Sequence, residues 1–226
     1  IVVARKRAAG EALQDTPIAA TAFGAQQLEE AGVEDLTDVG RMAPSVTFQP
    51  SSQRGVQNFA IRGMGVSGTT PSDEPAVGVF QDGIYWGSNY GALNDLFDME
   101  SVEILRGPQG TLFGRNVTGG AVNVRSARPS FSPSGEGMLG VGNYGMLEAS
   151  GVVTGPIVED RLAGRLAVLT RSLDGYFTRT QTGDDYGAGD SYVIRPSLTF
   201  TPTDTFEITG LAEWYSEDGD PTVVRG

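Results

Sequence analysis

The sequence predicts an α+β domain over residues 1–129, followed by a run of antiparallel β-strands over residues 130–226. Two short apolar runs, residues 102–105 (VEIL) and 121–124 (AVNV), read as strands. They enclose a stretch that holds Gly107, Gly110, Gly114, Gly119 and Gly120. Glycine at that density lets the backbone bend tightly and lets other backbone approach closely. Pro108 sits where a type I turn takes its fixed φ, with Gly110 two positions on. Beyond Arg128-Pro129 the pattern changes to period two, the spacing of side chains along a strand.

Residues 25–31 (AQQLEEA) are helix formers, with Gly32 placed as a C′ stop. Residues 35–42 form a second helical candidate, ended by Pro44. Strand candidates follow at 59–62, 77–81, 102–106 and 121–125, and residues 131–135 (FSPSG) read as a linker. In residues 162–173, Leu162, Gly164, Leu166, Val168 and Thr170 alternate with Ala163, Arg165, Ala167, Leu169 and Arg171. In residues 192–201, Tyr192, Ile194, Pro196, Leu198 and Phe200 alternate with Val193, Arg195, Ser197, Thr199 and Thr201. In residues 206–215, Phe206, Ile208, Gly210, Ala212 and Trp214 alternate with Glu207, Thr209, Leu211, Glu213 and Tyr215. Weaker strands at 137–142 and 146–155 flank an Asn143-Tyr144-Gly145 turn.

Each of these runs is close to the 9–11 residues or so that a tilted strand needs to cross a bilayer. The connections alternate too: 156–160 and 202–205 are short, 173–191 is long and polar, and another such loop begins at 216. Outer-membrane barrels pair short inner turns with long outer loops in this way, and carry aromatic girdles that Tyr192, Phe200, Phe206 and Trp214 would fit. A soluble β-sandwich alternates apolar and polar residues equally well, so alternation does not separate the two.

Composition excludes several functions. The chain has no cysteine and no histidine, which removes Ser-His-Asp and Cys-His catalysis and a typical zinc site. A net charge of −12, with Lys6 the only lysine, lacks the basic face that nucleic acid requires. No apolar run approaches the ~20 residues of a transmembrane helix, which leaves a β-barrel open. Glycine supplies 32 of 226 residues, where about 7% is usual, and such a chain is rich in turns.

Some motifs are accidental. Gly63, Gly65 and Gly68 complete a literal G-x-G-x-x-G, yet the next residues, TTPSDEP, cannot open the helix that a dinucleotide site needs. Residues 107–120 lack the Gly-Lys-Ser/Thr ending of a phosphate loop. Asn116-Val117-Thr118 fits the glycosylation pattern without further support. Asp184, Asp185, Asp190, Asp218 and Asp220 fit no defined cation loop and read as solvated acidic loops. No catalytic, cofactor or metal residues are assigned.

The string from Asp98 to Val124 closely resembles the plug signature of TonB-dependent outer-membrane receptors. Ile61-Arg62-Gly63 is similar to the family's "IRG" element, Asp82-Gly83-Ile84-Tyr85 to its "DG(I/V)Y" element, and Leu105-Arg106-Gly107-Pro108 to the core of the signature. Asp15-Thr16-Pro17-Ile18 through Leu28, then Asp35-Leu36-Thr37, resemble the opening of the plug. Ile1-Val2-Val3 before Ala4-Arg5-Lys6-Arg7 resembles the tail of a TonB box, with an ordinary first strand of the plug as the alternative.

The resemblance implies a TonB box remnant and plug domain over 1–129 and the first strands of an outer-membrane β-barrel, incomplete here, over 130–226. Together that is an α+β plug domain followed by antiparallel transmembrane β-strands. Five strands cannot close a barrel of roughly 22, and an open edge in lipid is forbidden, so the chain is expected to be a fragment. A leader segment is expected to have been removed or to lie outside it.

The implied localisation is the outer membrane of a Gram-negative bacterium. The implied function is not enzymatic: energised uptake of a scarce nutrient, with a ferric siderophore as the favoured cargo. Cobalamin or a glycan is the alternative cargo, and a secreted β-rich binding module the alternative class. The implied partners are the periplasmic protein TonB, outer-membrane lipid and the small-molecule ligand. TonB would capture Ile1, Val2 and Val3 by β-augmentation. Arg62 and Arg106 would pair with glutamates of the inner barrel wall and lock plug to barrel, the alternative being a nearby carboxylate such as Glu103. Ligand contacts are expected around residues 65–73 and 85–90.

Overall fold

The computed structural model describes residues 19–50, 57–65, 75–87, 95–178, 185–203 and 205–220. The chain divides into two compact units, Ile1–Ala127 and Arg128–Gly226. No helix among the described residues is long and apolar enough to cross a membrane.

In chain order the first unit comprises β1 (Ala20–Gly24), α1 (Ala25–Glu30), α2 (Leu36–Met42), β2 (Val46–Pro50), β3 (Gln57–Ile61), β4 (Met64–Gly65), β5 (Val77–Gln81), β6 (Ile84–Trp86), β7 (Met99–Arg106), α3 (Gly110–Phe113) and β8 (Gly120–Ser126). A five-stranded sheet has the order β1-β7-β8-β5-β6, and β2-β3-β4 form a second sheet. Only the β5–β8 pair in the larger sheet is parallel.

Alternation along the central strands divides their apolar side chains between two faces. Val102 and Ile104 of β7, Val122 and Val124 of β8, and Val77 and Val79 of β5 pack with Leu28, Leu36, Val39, Val46, Phe48, Phe59 and Ile61. On the other face Leu105, Ala121, Phe80 and Val117 form a smaller cluster with Tyr85 and Phe113.

Both expected helices are present and capped. The α1 helix ends in a Schellman pair: Val33 N donates to Leu28 O at 2.9 Å, and Gly32 N donates to Glu29 O at 3.0 Å. Asp35 precedes α2 rather than opening it, and its carboxylate accepts from Asp38 N at 3.0 Å. Four strands of this unit were not expected: β1, β2, β4 and β6. The Pro108 region also differs, because Gln109 caps the short helix α3 where a turn was anticipated.

The second unit comprises β9 (Ser134–Val141), β10 (Leu147–Val158), β11 (Leu162–Leu173), β12 (Phe177–Thr178), β13 (Asp185–Tyr186), β14 (Gly189–Thr203), β15 (Phe206–Leu211) and β16 (Trp214–Gly219). The order β9-β10-β11-β14 continues with β15 and β16, which pair with successive halves of β14 and act as one strand interrupted at Ala212 and Glu213. β12 and β13 form a separate two-stranded hairpin within the long 173–191 connection. Two boundaries shift: residues 134–135 belong to β9 rather than a linker, and 216–219 continue β16 rather than open a loop.

The polarity of this sheet separates the two architectures that alternation left open. Along β14 the buried residues are Val193, Arg195, Ser197 and Thr199, while Tyr192, Ile194, Leu198 and Phe200 are exposed. Val153, Leu166, Val168, Phe206, Ile208 and Trp214 are exposed as well. A sandwich buries its apolar face, and a membrane barrel presents that face to lipid. The buried face pairs its charges: Arg195 Nε and Nη2 reach Glu213 Oε2 at 2.7 and 2.6 Å, and Arg171 Nε reaches Glu148 Oε2 at 2.7 Å. Buried ions need such partners.

Candidate functional site

The glycine-rich connection between β7 and β8 is the corner on which the first unit converges. The ladder of β7 and β8 ends with Arg106 opposite Gly120 and continues through Gly107 N to Gly119 O at 3.0 Å and Gln109 N to Val117 O at 3.1 Å. Gly119 N also donates to Ala76 O at 2.8 Å, tying the start of β5 to the same corner. Met64 of β4 passes over it, since a Cβ on Gly119 would lie 3.0 Å from Met64 O.

The β3–β4 turn that crosses here is made by Arg62 and Gly63 alone, between the paired Ile61 and Met64. Both have positive φ, 54° and 76°, as a type I′ hairpin requires. Arg62 N donates to Ser45 O at 2.8 Å. Arg106 donates from Nε and Nη2 to Pro44 O at 3.3 and 3.2 Å. Two arginines 44 positions apart in sequence are thus anchored on consecutive residues, Pro44 and Ser45. Partial burial, and then the charge of Arg62, push the pKa of Arg106 below its ordinary value. Among the described residues neither guanidinium has a carboxylate partner.

Glu103 does not fill that place. It is fully buried on the opposite face of β7 from Arg106, and Asn123 Nδ2 donates to its Oε2 at 3.2 Å. Residues 103 and 106 differ by an odd number along a strand, so their side chains leave on opposite faces.

Asp82 and Gly83 make a second type I′ turn, with φ of 49° and 84°, between Gln81 and Ile84. The Asp82 carboxylate accepts from Ser126 N at 2.9 Å and Ser126 Oγ at 2.8 Å, while Asp82 N donates to Val124 O at 3.0 Å. This side chain clamps the β5–β6 hairpin to the end of β8. Asp82→Ala in the full-length protein should therefore cost about 2 kcal/mol, the scale of charge-assisted hydrogen bonds to one group. Limited proteolysis checks this: cleavage of the first unit at protease concentrations that spare the native form is the expected result.

At the far side of the signature, Asn116 Nδ2 donates to Tyr85 Oη at 3.2 Å, and Phe80 packs against Phe113 with ring centroids 4.6 Å apart. Pro108 is exposed just before α3. Ile1, Val2 and Val3 lie outside the described residues, as do 66–73 and 88–90 of the expected ligand-contact segments. The described residues hold no cluster of three carboxylates placed to bind a metal.

Comparison with known proteins bears on this corner directly, because the family of the TonB-dependent Receptor Plug Domain matches residues 12–121. The chain belongs to the TonB-dependent receptors. That family consists of receptors and transporters rather than enzymes, and places the receptor in the outer membrane of Gram-negative bacteria.

Among the relatives, the pesticin receptor of Yersinia pestis is 29% identical over 205 residues, covering 90% of this chain and 30% of the relative. The ferrioxamine B receptor of Salmonella typhimurium is 31% identical over 207 residues, covering 88% of this chain and 27% of the relative. The crystal structure of the ferric yersiniabactin uptake receptor FyuA from Yersinia pestis superimposes with a TM-score of 0.81 at 28% identity, covering 88% of this chain and 32% of that one. The chain thus spans about a third, or less, of the length of these relatives. Its first unit contains the plug domain, matched over residues 12–121, and its second carries antiparallel strands that match those of such receptors and whose sheet is not closed.

Proposed function

We propose that the full-length receptor imports a ferric siderophore across the outer membrane, driven by TonB. The observation that carries this reading is the likeness to a ferric yersiniabactin uptake receptor across both units of the chain. It is supported by the 31% identity to a ferrioxamine B receptor. In this reading TonB captures residues 1–3 by adding them to the edge of its own sheet, and no bond in the cargo is made or broken. Arg62 and Arg106 hold the plug to carboxylates of the barrel wall that lie outside this chain. Two adjacent guanidiniums without a carboxylate among the described residues are suited to that role, since a fixed fork of donors matches a carboxylate in a partly buried setting.

The test uses the full-length receptor in iron-restricted cells that lack other siderophore receptors. Radiolabelled ferric siderophores should enter cells that have TonB and fail to enter cells without it. Equal uptake in both strains, or growth rescue by cobalamin or a glycan in place of every iron chelate, would overturn the reading.

A further inference from the structure

We infer that residues 128–133 are a strap, held by Glu207 and Thr154, that fastens the chain where it leaves the first unit and stays fastened while cargo passes. The last clause rests on the energised reading above. Arg128 Nη1 donates to Glu207 Oε1 of β15 at 3.2 Å, and Ser130 N donates to Thr154 Oγ1 of β10 at 2.9 Å. Strands β11 and β14 lie between those two, so the ties are three strand spacings of ~4.8 Å apart. The segment therefore runs obliquely over β11 and β14. It ends at Pro133, whose Cα would lie 3.5 Å from a Cβ on Gly155, and β9 begins at Ser134. Both ties are on the buried face of the sheet. Thr154 lies in one row with Arg165 and buried Ser197. Thr209, two residues from Glu207, meets the hydroxyl of buried Thr199 at 2.9 Å, which puts Glu207 on that same face.

The residues just before the strap are tied as closely. Ser126 N and Oγ donate to the Asp82 carboxylate, and Ala127 N donates to Asp98 O at 3.0 Å. Bonds to the first unit thus end at Ala127 and bonds to the second begin at Arg128, which leaves no slack in the join. The sequence RPSFSP suits a strap rather than a flexible linker: Pro129 and Pro133 fix their φ, and Ser132 N donates to Ser130 Oγ at 3.0 Å. Neither tie is strong alone. Arg128 and Glu207 are each about half exposed, where an ion pair contributes little, and a single hydrogen bond to a hydroxyl is modest. In so short and stiff a segment each tie holds the other at high effective concentration. Loss of one leaves the strap down; loss of both frees it. With the strap down, the rearrangement that passes cargo is confined to residues before Ala127.

The chain contains no cysteine, so in a full-length receptor freed of any other cysteine a single thiol can be followed. Ser130→Cys, at a partly buried position, reports opening of the strap through its rate of reaction with a small maleimide. Glu207→Gln with Thr154→Val removes both ties and should raise that rate about tenfold, the effect of two weak bonds lost together. Each substitution alone should raise it less. Thr154→Ser keeps the hydroxyl, and Arg128→Glu with Glu207→Arg restores the ion pair, so both should label like the parent. In the parent, labelling during siderophore uptake should be the same in cells with and without TonB. A double variant that labels like the parent, or a parent whose labelling rises with TonB, would overturn the inference.

Uptake gives a second readout. Arg128→Cys with Glu207→Cys, bridged by a short bis-maleimide, clamps the strap permanently, and siderophore binding and uptake should match those of the unbridged pair. In the double variant Glu207→Gln with Thr154→Val, the maximal uptake rate should fall at unchanged siderophore affinity, because slack in the join takes up displacement that TonB imposes. Loss of uptake on bridging would make the strap a gate that has to open, and so would overturn the inference. An unchanged maximal rate in the double variant would overturn it as well. Uptake that is indifferent to TonB in the native receptor would instead sink the energised reading, while the labelling of the double variant would still decide whether Glu207 and Thr154 hold the strap.

Discussion

Removal of Ile1, Val2 and Val3 from the full-length receptor is expected to reduce uptake to the level of cells without TonB while leaving siderophore affinity unchanged. β-Augmentation draws its affinity from main-chain hydrogen bonds and its register from alternate side chains. Three consecutive β-branched residues are well suited to such an added strand. Losing them removes the partner's grip and nothing from the corner built by Pro44, Ser45, Arg62 and Arg106. Equilibrium binding and radio-iron uptake, measured on the same cells, separate the two quantities. A parallel fall in both would show that the segment supports the fold or the ligand site rather than the coupling.

The second large effect lies inside the signature and sets two of its glycines against each other. Gly120→Ala is expected to destabilise the plug domain by about 3 kcal/mol or more, the range of severe backbone and overpacking defects. The φ of Gly120 is 153°, and a Cβ there would collide with the Leu105 carbonyl oxygen and lie 2.7 Å from Ile61 Cδ1. The obstacle is backbone across the ladder, which cannot rotate away. Gly110→Ala is expected to be neutral or slightly stabilising, because a Cβ there meets nothing within 4 Å and the residue opens a helical turn. Protease resistance of the plug in detergent-solubilised receptor distinguishes them. Equal behaviour of the two variants would mean that the close approach of Gly120 to the Leu105 backbone does not shape this corner.

The parts of the fold that local pattern specifies were legible before any coordinates. Period-two alternation located β10, β11, β14 and β15, and Asp35, Gly32 and Pro44 bounded the two helices. Strand β1 was not legible, since ATAFG has no apolar alternation and is a strand only because β7, some eighty residues away, pairs with it. Val46 and Phe48 of β2 do alternate inward, but five residues ending in proline are a weak signal. Residues 216–219 (SEDG) look like a loop and are held in β16 by pairing with residues 189–192.

At the site, Asp82-Gly83 stood out only as part of a motif that resembles the family's, and neither its type I′ hairpin nor the clamp from Asp82 to Ser126, 44 positions away, was read from the sequence. The convergence of Arg62 and Arg106 was equally hidden, because it depends on two backbone carbonyls at Pro44 and Ser45. Alternation revealed two faces of the later strands, and only the exposure of Ile194 and Leu198 beside buried Arg195 showed which faces outward.

The strand order β1-β7-β8-β5-β6 also dictates a schedule for biogenesis. The keystone, β8, is the last strand of its sheet to emerge, and it joins β7 on one side to β5 on the other. Until Ser126 has crossed into the periplasm, β1 and the β5–β6 hairpin share no common scaffold. Sheets assembled from such distant partners form slowly and leave sticky edges in the meantime. Assembly of this sheet therefore waits on β8, and the edges of β7 and β5 that it will cover stay open until then.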